Sequence, residues 1–264
     1  MATKLIPICF VVDENIYMFL ETVCKSIIKN VSLTIHFCIL TNKEENINNI
    51  ERLMDTFSNK TQYTIKSLTV EHDEYLKSLY IPEQRVDITG FVYSQILFPE
   101  YFSNFKKILF LEPDQIVKSD LAMLWNEIME KDINLGAVNY KNGSNTLNTL
   151  AKLYPERQNK GYNAGVMIVD TEFWIKNNFT TLCFDVIIKQ KESNGKYYDY
   201  YAEGAINIAL QTHIYELDSI YNTVNLGWNP DIPKHILDKA VILHWNGNSK
   251  PWKENGLYRS YYVI

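Results

Sequence analysis

The chain has 264 residues, 46% of them apolar and 22% charged, which is length and apolar surface enough for a full core and excludes a disordered polymer. Its net charge of −5 excludes the basic field that a nucleic-acid backbone demands, so no nucleic-acid partner is expected. No stretch reaches the roughly 18 apolar residues of a membrane-crossing helix, and the first apolar run meets Asp13 too soon for a secretory leader, so a soluble, cytoplasmic protein is expected.

In chain order, Leu5 to Val12 is a continuous apolar run that reads as a strand buried on both faces. Ile16, Phe19, Leu20, Val23, Cys24, Ile27 and Ile28 then recur at three- and four-residue intervals, the stripe of an amphipathic helix. Thr34 to Leu40 reads as a second strand, and Ile47, Ile50, Leu53, Met54 and Phe57 mark a second helix. Tyr63 to Val70 reads as a weaker strand, Ile88 to Tyr101 as a helix and Lys107 to Leu111 as a short buried strand. Asn163-Ala164-Gly165 opens the apolar strand Val166 to Val169; helices are expected near Phe179 to Lys189 and Ala202 to Leu210, and a late strand at Ala240 to Leu243. This alternation predicts an α/β fold, a mostly parallel twisted sheet flanked by helices, as a single domain with a C-terminal extension. Cys9, Cys24, Cys38 and Cys183 lie in apolar segments without paired spacing, which predicts buried free thiols.

The strand ending at Leu111 delivers Glu112 and Asp114, and in open parallel sheets ligands sit beyond the carboxyl ends of strands. Pro113 fixes the backbone between the two acids, so that both can reach one divalent cation; a solvated turn is the other reading. His244 ends another buried strand, where imidazole can complete a metal sphere. Gly247 lets the backbone approach a phosphate, and Lys250 supplies a point charge to it. A structural histidine and a surface lysine are the alternatives for those two positions. A hard oxygen pair with one imidazole suits Mn²⁺ better than Ca²⁺, with Mg²⁺ as the alternative cofactor.

Four segments taken together, Phe10-Val11-Val12-Asp13-Glu14-Asn15, Ile108 to Asp114, Tyr162-Asn163-Ala164-Gly165-Val166 and His244 to Trp252, resemble the ordered motifs of glycosyltransferase family 8. That family includes bacterial lipopolysaccharide galactosyl- and glucosyltransferases, glycogenin and plant galacturonosyltransferases. The resemblance implies a GT-A fold, a UDP-sugar donor, Mn²⁺, retention of anomeric configuration, and a glycan or protein acceptor. It implies a nucleotide-binding half over residues 1–120, and over 121–264 an acceptor half with the metal and diphosphate loop. On that likeness Asp13 and Asn15 hold the uridine with Val11 beside them, and Glu112, Asp114 and His244 ligate the metal. Asn163, Ala164 and Gly165 lie along the sugar, and Gly247 and Lys250 hold the diphosphate.

Three positions depart from the family pattern. Glu112 stands where an Asp is usual, and Gln95 where many members carry an Arg that contacts the donor. With Asn207 kept in register, Glu203 falls where the family has a Gln against the reacting sugar face. A carboxylate there can act as nucleophile or stabilise an oxocarbenium-like transition state, with Asn163 as its partner in the candidate catalytic pair; a solvated helix glutamate is the other reading. Aromatic segments at Lys196 to Tyr201 and Tyr258 to Tyr262 suit an acceptor platform. Two further functions stay open, a glycogenin-like autoglycosylating protein and a nucleotide-sugar-binding protein without transfer activity.

Overall fold

In the computed structural model, which describes residues 5–80, 89–140, 160–192 and 201–262, β1 (Leu5–Val12) and β2 (Thr34–Thr41) pair in parallel along their whole length, from Leu5 opposite Thr34 to Val12 opposite Thr41. Parallel pairing requires a crossover, here α1 (Tyr17–Asn30); α2 (Glu44–Asp55) does the same between β2 and β3 (Thr61–Ser67). The chain then crosses back through α3 (Val70–Leu79) and α4 (Phe98–Tyr101) to β4 (Lys107–Leu111), which lies parallel to β1 on its other side. Beyond it come β5 (Gln115–Val117), α5 (Ala122–Glu130), β6 (Leu135–Asn139), β7 (Tyr162–Asp170), α6 (Thr171–Lys176), α7 (Phe179–Glu192), α8 (Tyr201–Leu210), β8 (Tyr215–Leu217), α9 (Lys234–Lys239) and β9 (Ile242–His244).

The main sheet has the order β3-β2-β1-β4-β7-β6-β8, parallel except where β7 runs against β4 and β6. β1 is apolar at every position because both faces of the sheet are covered. Ile6, Ile8, Phe10, Val12, Leu109 and Leu111 pack with Leu20, Val23 and Ile27 of α1 and Leu124, Trp125 and Ile128 of α5. Cys9, Ile108 and Phe110 face the other way, towards Phe184 and Ile187 of α7 and Ala205 and Ile206 of α8. Each such side chain contributes about 1.5–3 kcal/mol on burial, which is why β1 tolerates no polar residue until Asp13.

Two expected elements differ. The strand read over Tyr63 to Val70 ends at Ser67, because Thr69 turns the chain and its hydroxyl accepts from the His72 N–H at 3.2 Å, capping α3. The helix expected over Ile88 to Tyr101 is, over its described residues, a 3₁₀ helix from Gly90 to Ile96 followed by the short α4. Pro99 opens that last turn, and a proline disfavours helix in the residue before it and removes an N–H from the ladder. Most of the Lys196 to Tyr201 aromatic run, residues 196–200, lies outside the described residues.

The four cysteines are free and buried, although Cys9 and Cys38 face one another on adjacent strands. Among the described residues no helix is long and apolar enough to cross a membrane.

Candidate metal and donor site

The main sheet delivers Glu112 one residue beyond β4, and a second, two-stranded sheet brings in the histidine. β5, immediately after Asp114, pairs antiparallel with β9 so that Gln115 lies opposite His244. The Trp245 N–H donates to the Asp114 carbonyl at 3.1 Å, which locks the histidine strand to the acidic turn. On the other side, β4 and β7 pair with Leu111 opposite Val166, and the Glu112 N–H donates to the Gly165 carbonyl at 3.0 Å.

The result is a cluster in which one ligand atom each from Glu112, Asp114 and His244 lies within 4.8 Å of the others. His244 Nε2 is 2.9 Å from Glu112 Oε2 and 3.3 Å from Asp114 Oδ1. The imidazole is fully buried, yet neither its Nε2 nor Asp114 Oδ1 has a hydrogen-bond partner in satisfactory geometry. Buried polar atoms are almost always satisfied. Two left unsatisfied at this distance are placed as ligands of one cation would be, and two carboxylates with an imidazole are a donor set that can hold a divalent cation.

The electrostatics agree. Burial raises the Asp114 carboxyl, but the Lys250 ammonium and His244 outweigh it and hold the group well below the usual carboxylate range. Burial presses the His244 imidazole down, and Asp114 and then Glu112 more than offset this, lifting it to about 9. The site therefore attracts a positive charge strongly. Lys250 donates to Asp114 Oδ2 and to the Trp245 carbonyl, the latter at 2.8 Å, so it reaches the acidic turn itself.

Glycines make the close approach possible. A Cβ on Gly165 would lie 2.3 Å from His244 Cε1 and 2.6 Å from Glu112 Oε2. Gly247 has φ +118°, and a Cβ there would meet the indole of the half-exposed Trp228 at 2.4 Å.

Towards β7, Glu203 accepts from Tyr140 Oη at 3.3 Å, from Asn163 Nδ2 at 2.9 Å and from the Ala164 N–H at 3.1 Å. It is not a merely solvated helix residue. Asn207 bonds both the N–H and the carbonyl of Tyr162, at 2.7 and 2.8 Å, and so pins α8 to β7. Gln95 is buried and its amide donates to the Ala164 carbonyl, supporting the segment that holds Asn163. Asp13 and Asn15 bond each other at the carboxyl end of β1, Asp13 accepting the Asn15 and Ile16 N–H groups at 3.0 and 3.2 Å. Val11 precedes them, packed against the core on the α7 and α8 side. Since β1 and β4 are parallel, Asp13 and Glu112 emerge at the same edge of the sheet.

A family model described as glycosyl transferase family 8 matches residues 7–256. The chain belongs to that family. "Probable galacturonosyltransferase 4" of Arabidopsis thaliana is 30% identical over 175 residues, covering 61% of this chain and 27% of its own length. "Probable galacturonosyltransferase 14" of the same plant is 31% identical over 179 residues, covering 61% and 33%. The chain thus spans about a third of the length of these curated relatives. Among solved structures, galactosyltransferase LgtC, in complex with donor and acceptor sugar analogues, aligns over 95% of this chain and 90% of its own with a TM-score of 0.73 at 17% identity. That likeness shows the fold, which is of GT-A type.

In this family 8 chain three side chains of the site had no sequence signal. The Asn222 amide oxygen lies 3.0 Å from His244 Nδ1, and its Nδ2 donates to Asn163 Oδ1 at 2.7 Å. Tyr140 touches Glu203 and Asn163, and buried Gln115 donates to the Gly165 carbonyl at 2.6 Å. None lies in a recognisable motif. Gln115 opens β5 and Tyr140 follows the end of β6, and nothing local marks Asn222.

Proposed function

We propose that the chain carries a retaining, metal-dependent glycosyltransferase activity that moves a hexose from a UDP-sugar, UDP-glucose or UDP-galactose, to a glycan or protein acceptor. The observation that carries this reading is the convergence of Glu112, Asp114 and His244 at the carboxyl ends of the sheet strands. These three would hold Mn²⁺ or Mg²⁺. When bound there, such a cation supplies electrostatic stabilisation for the negative charge that collects on a departing nucleoside diphosphate.

The remaining work falls to this chain's own residues. Lys250, which contacts Asp114, would add a second positive charge for the same diphosphate. Gly247 allows the backbone of its loop to approach a phosphate oxygen. Glu203, held by Asn163 and the Ala164 N–H, presents a carboxylate next to the segment expected along the sugar, where it stabilises positive charge developing on the anomeric carbon. Apart from the ligand His244, no histidine among the described residues belongs to the cluster, so the acceptor hydroxyl gives its proton to the leaving phosphate. Asp13 and Asn15, at the same sheet edge, would bind the uridine. A cytoplasmic location belongs to this reading and draws support from the four free thiols.

Purified protein incubated with a panel of UDP-hexoses and a UDP-uronic acid, included because the curated relatives carry galacturonosyltransferase names, should release UDP in the presence of Mn²⁺. Chelator and Asp114→Ala should each abolish it. Turnover indifferent to both would sink the assignment.

A further inference from the structure

Four buried or half-buried groups link the sugar side of the site to the metal side, and their hydrogen bonds run in one direction. Two backbone N–H groups, which can only donate, set that direction. The Gly165 N–H donates at 3.1 Å to Asn163 Oδ1, identifying that atom as the amide oxygen. Asn163 Nδ2 is then the atom facing Glu203, whose Oε2 also receives the Ala164 N–H. The group 2.7 Å from Asn163 Oδ1 must be a donor, so it is Nδ2 of Asn222. The other end of the Asn222 amide, 3.0 Å from His244 Nδ1, is therefore the oxygen, and Nδ1 carries the hydrogen. Nε2 faces the oxygens of Glu112 and Asp114, and once its proton is displaced its lone pair is free for a cation.

We propose that Asn222 is the positioning residue of the metal site: its carboxamide oxygen holds the Nδ1–H of His244 and so presents Nε2 to the cation. The proposal rests on the metal-dependent reading given above. His244 Nε2 and Asp114 Oδ1, both buried and without a hydrogen-bond partner in satisfactory geometry, are the ligand atoms that a cation would satisfy. Ligating histidines ordinarily have their second nitrogen held in this way, and here the holder is a neutral amide rather than a carboxylate. Water cannot replace it, since Asn222 is 1% exposed, Asn163 3% and His244 0%. The backbone keeps the pair in register: the Thr223 N–H donates to the Ile242 carbonyl and the His244 N–H to the Thr223 carbonyl, both at 2.9 Å. An asparagine is required for both links at once, because an aspartate at 222 would accept from His244 but could not donate to Asn163.

The test is Mn²⁺ affinity, measured by titration calorimetry and by the electron spin resonance signal of free Mn²⁺, on the wild type, Asn222→Leu and Asn222→Asp. Asn222→Leu, equal in shape but without the acceptor, should bind Mn²⁺ about 10- to 100-fold more weakly, whereas Asn222→Asp, which keeps it, should stay close to wild type. Should the leucine variant fail to fold, ¹⁵N-histidine spectra of Zn²⁺-loaded wild type decide, with His244 expected to show a protonated Nδ1 and a metal-bound Nε2. Equal Mn²⁺ affinity in the wild type and the leucine variant, or a metal-bound Nδ1, overturns the role of Asn222 while leaving the metal site standing. A wild type that takes up no Mn²⁺ overturns both.

Discussion

Gly165 and His244 touch so closely that a single methyl group on the glycine would lie 2.3 Å from Cε1 of the imidazole. The same methyl would press on Glu112 Oε2 at 2.6 Å. Gly165→Ala keeps a backbone that alanine adopts freely and places its new carbon among the metal ligands. Mn²⁺ affinity is expected to fall about 100-fold, as when a ligand's support is lost, with a stability loss of about 1–3 kcal/mol from overpacking. Calorimetric metal titration beside urea unfolding measures the two effects. A variant that binds Mn²⁺ like wild type would show that the ligands can yield.

Metal and proton compete for His244. Without a cation, the neighbouring carboxylates lift the imidazole from its ordinary 6.5 to about 9, so between pH 7 and 9 metal binding must displace one proton. Apparent Mn²⁺ affinity should rise about tenfold per pH unit over that interval and level off above it. The sign for the metal-free protein is opposite. A raised folded-state value stabilises fully below about 6.5 and is lost as pH climbs through about 9, so chelator-treated protein should melt lower at pH 9.5 than at pH 7. Thermal melts with and without chelator across this range check it, and parallel curves would contradict it.

Lys250 and the metal draw on the same carboxylate, Asp114. Lys250→Met should therefore leave Mn²⁺ affinity unchanged or slightly higher, because a competing cation is gone. Turnover should drop about 100-fold or more, the usual cost of removing one charge-stabilising donor. Steady-state kinetics with the best donor, set beside the metal titration, separates the two. Equal losses in both would mean that the lysine serves only to place Asp114.

Glu203 presents a carboxylate in a setting of donors, and a glutamine oxygen can accept the same bonds from Asn163 and the Ala164 N–H. Glu203→Gln should fold normally and bind UDP as wild type does, while its kcat falls about 100-fold if the charge acts on the reacting sugar. An unchanged kcat would reduce Glu203 to a support for Asn163.

Much of the architecture is legible in the sequence. β1 has the bounds that its apolar run implied, and the helices after β1 and β2 lie where their stripes predicted. The acidic turn and the histidine strand were visible as local features. Expectation failed at α3 and at the 3₁₀ segment before Pro99, where capping and a missing N–H outweigh hydrophobic pattern.

The sequence by itself determined the elements and the types of ligand, since both depend on neighbours a few residues away: apolar periodicity for strand or helix, and oxygen and imidazole groups at strand ends. Only the tertiary structure decided that Gln115 pairs with His244, that Val166 pairs with Leu111, and that Asn222 stands between Asn163 and the imidazole. Those are choices of register between distant strands. A shift of one residue turns every side chain to the opposite face, and what holds the register is packing along the whole sheet, which no short stretch of sequence contains.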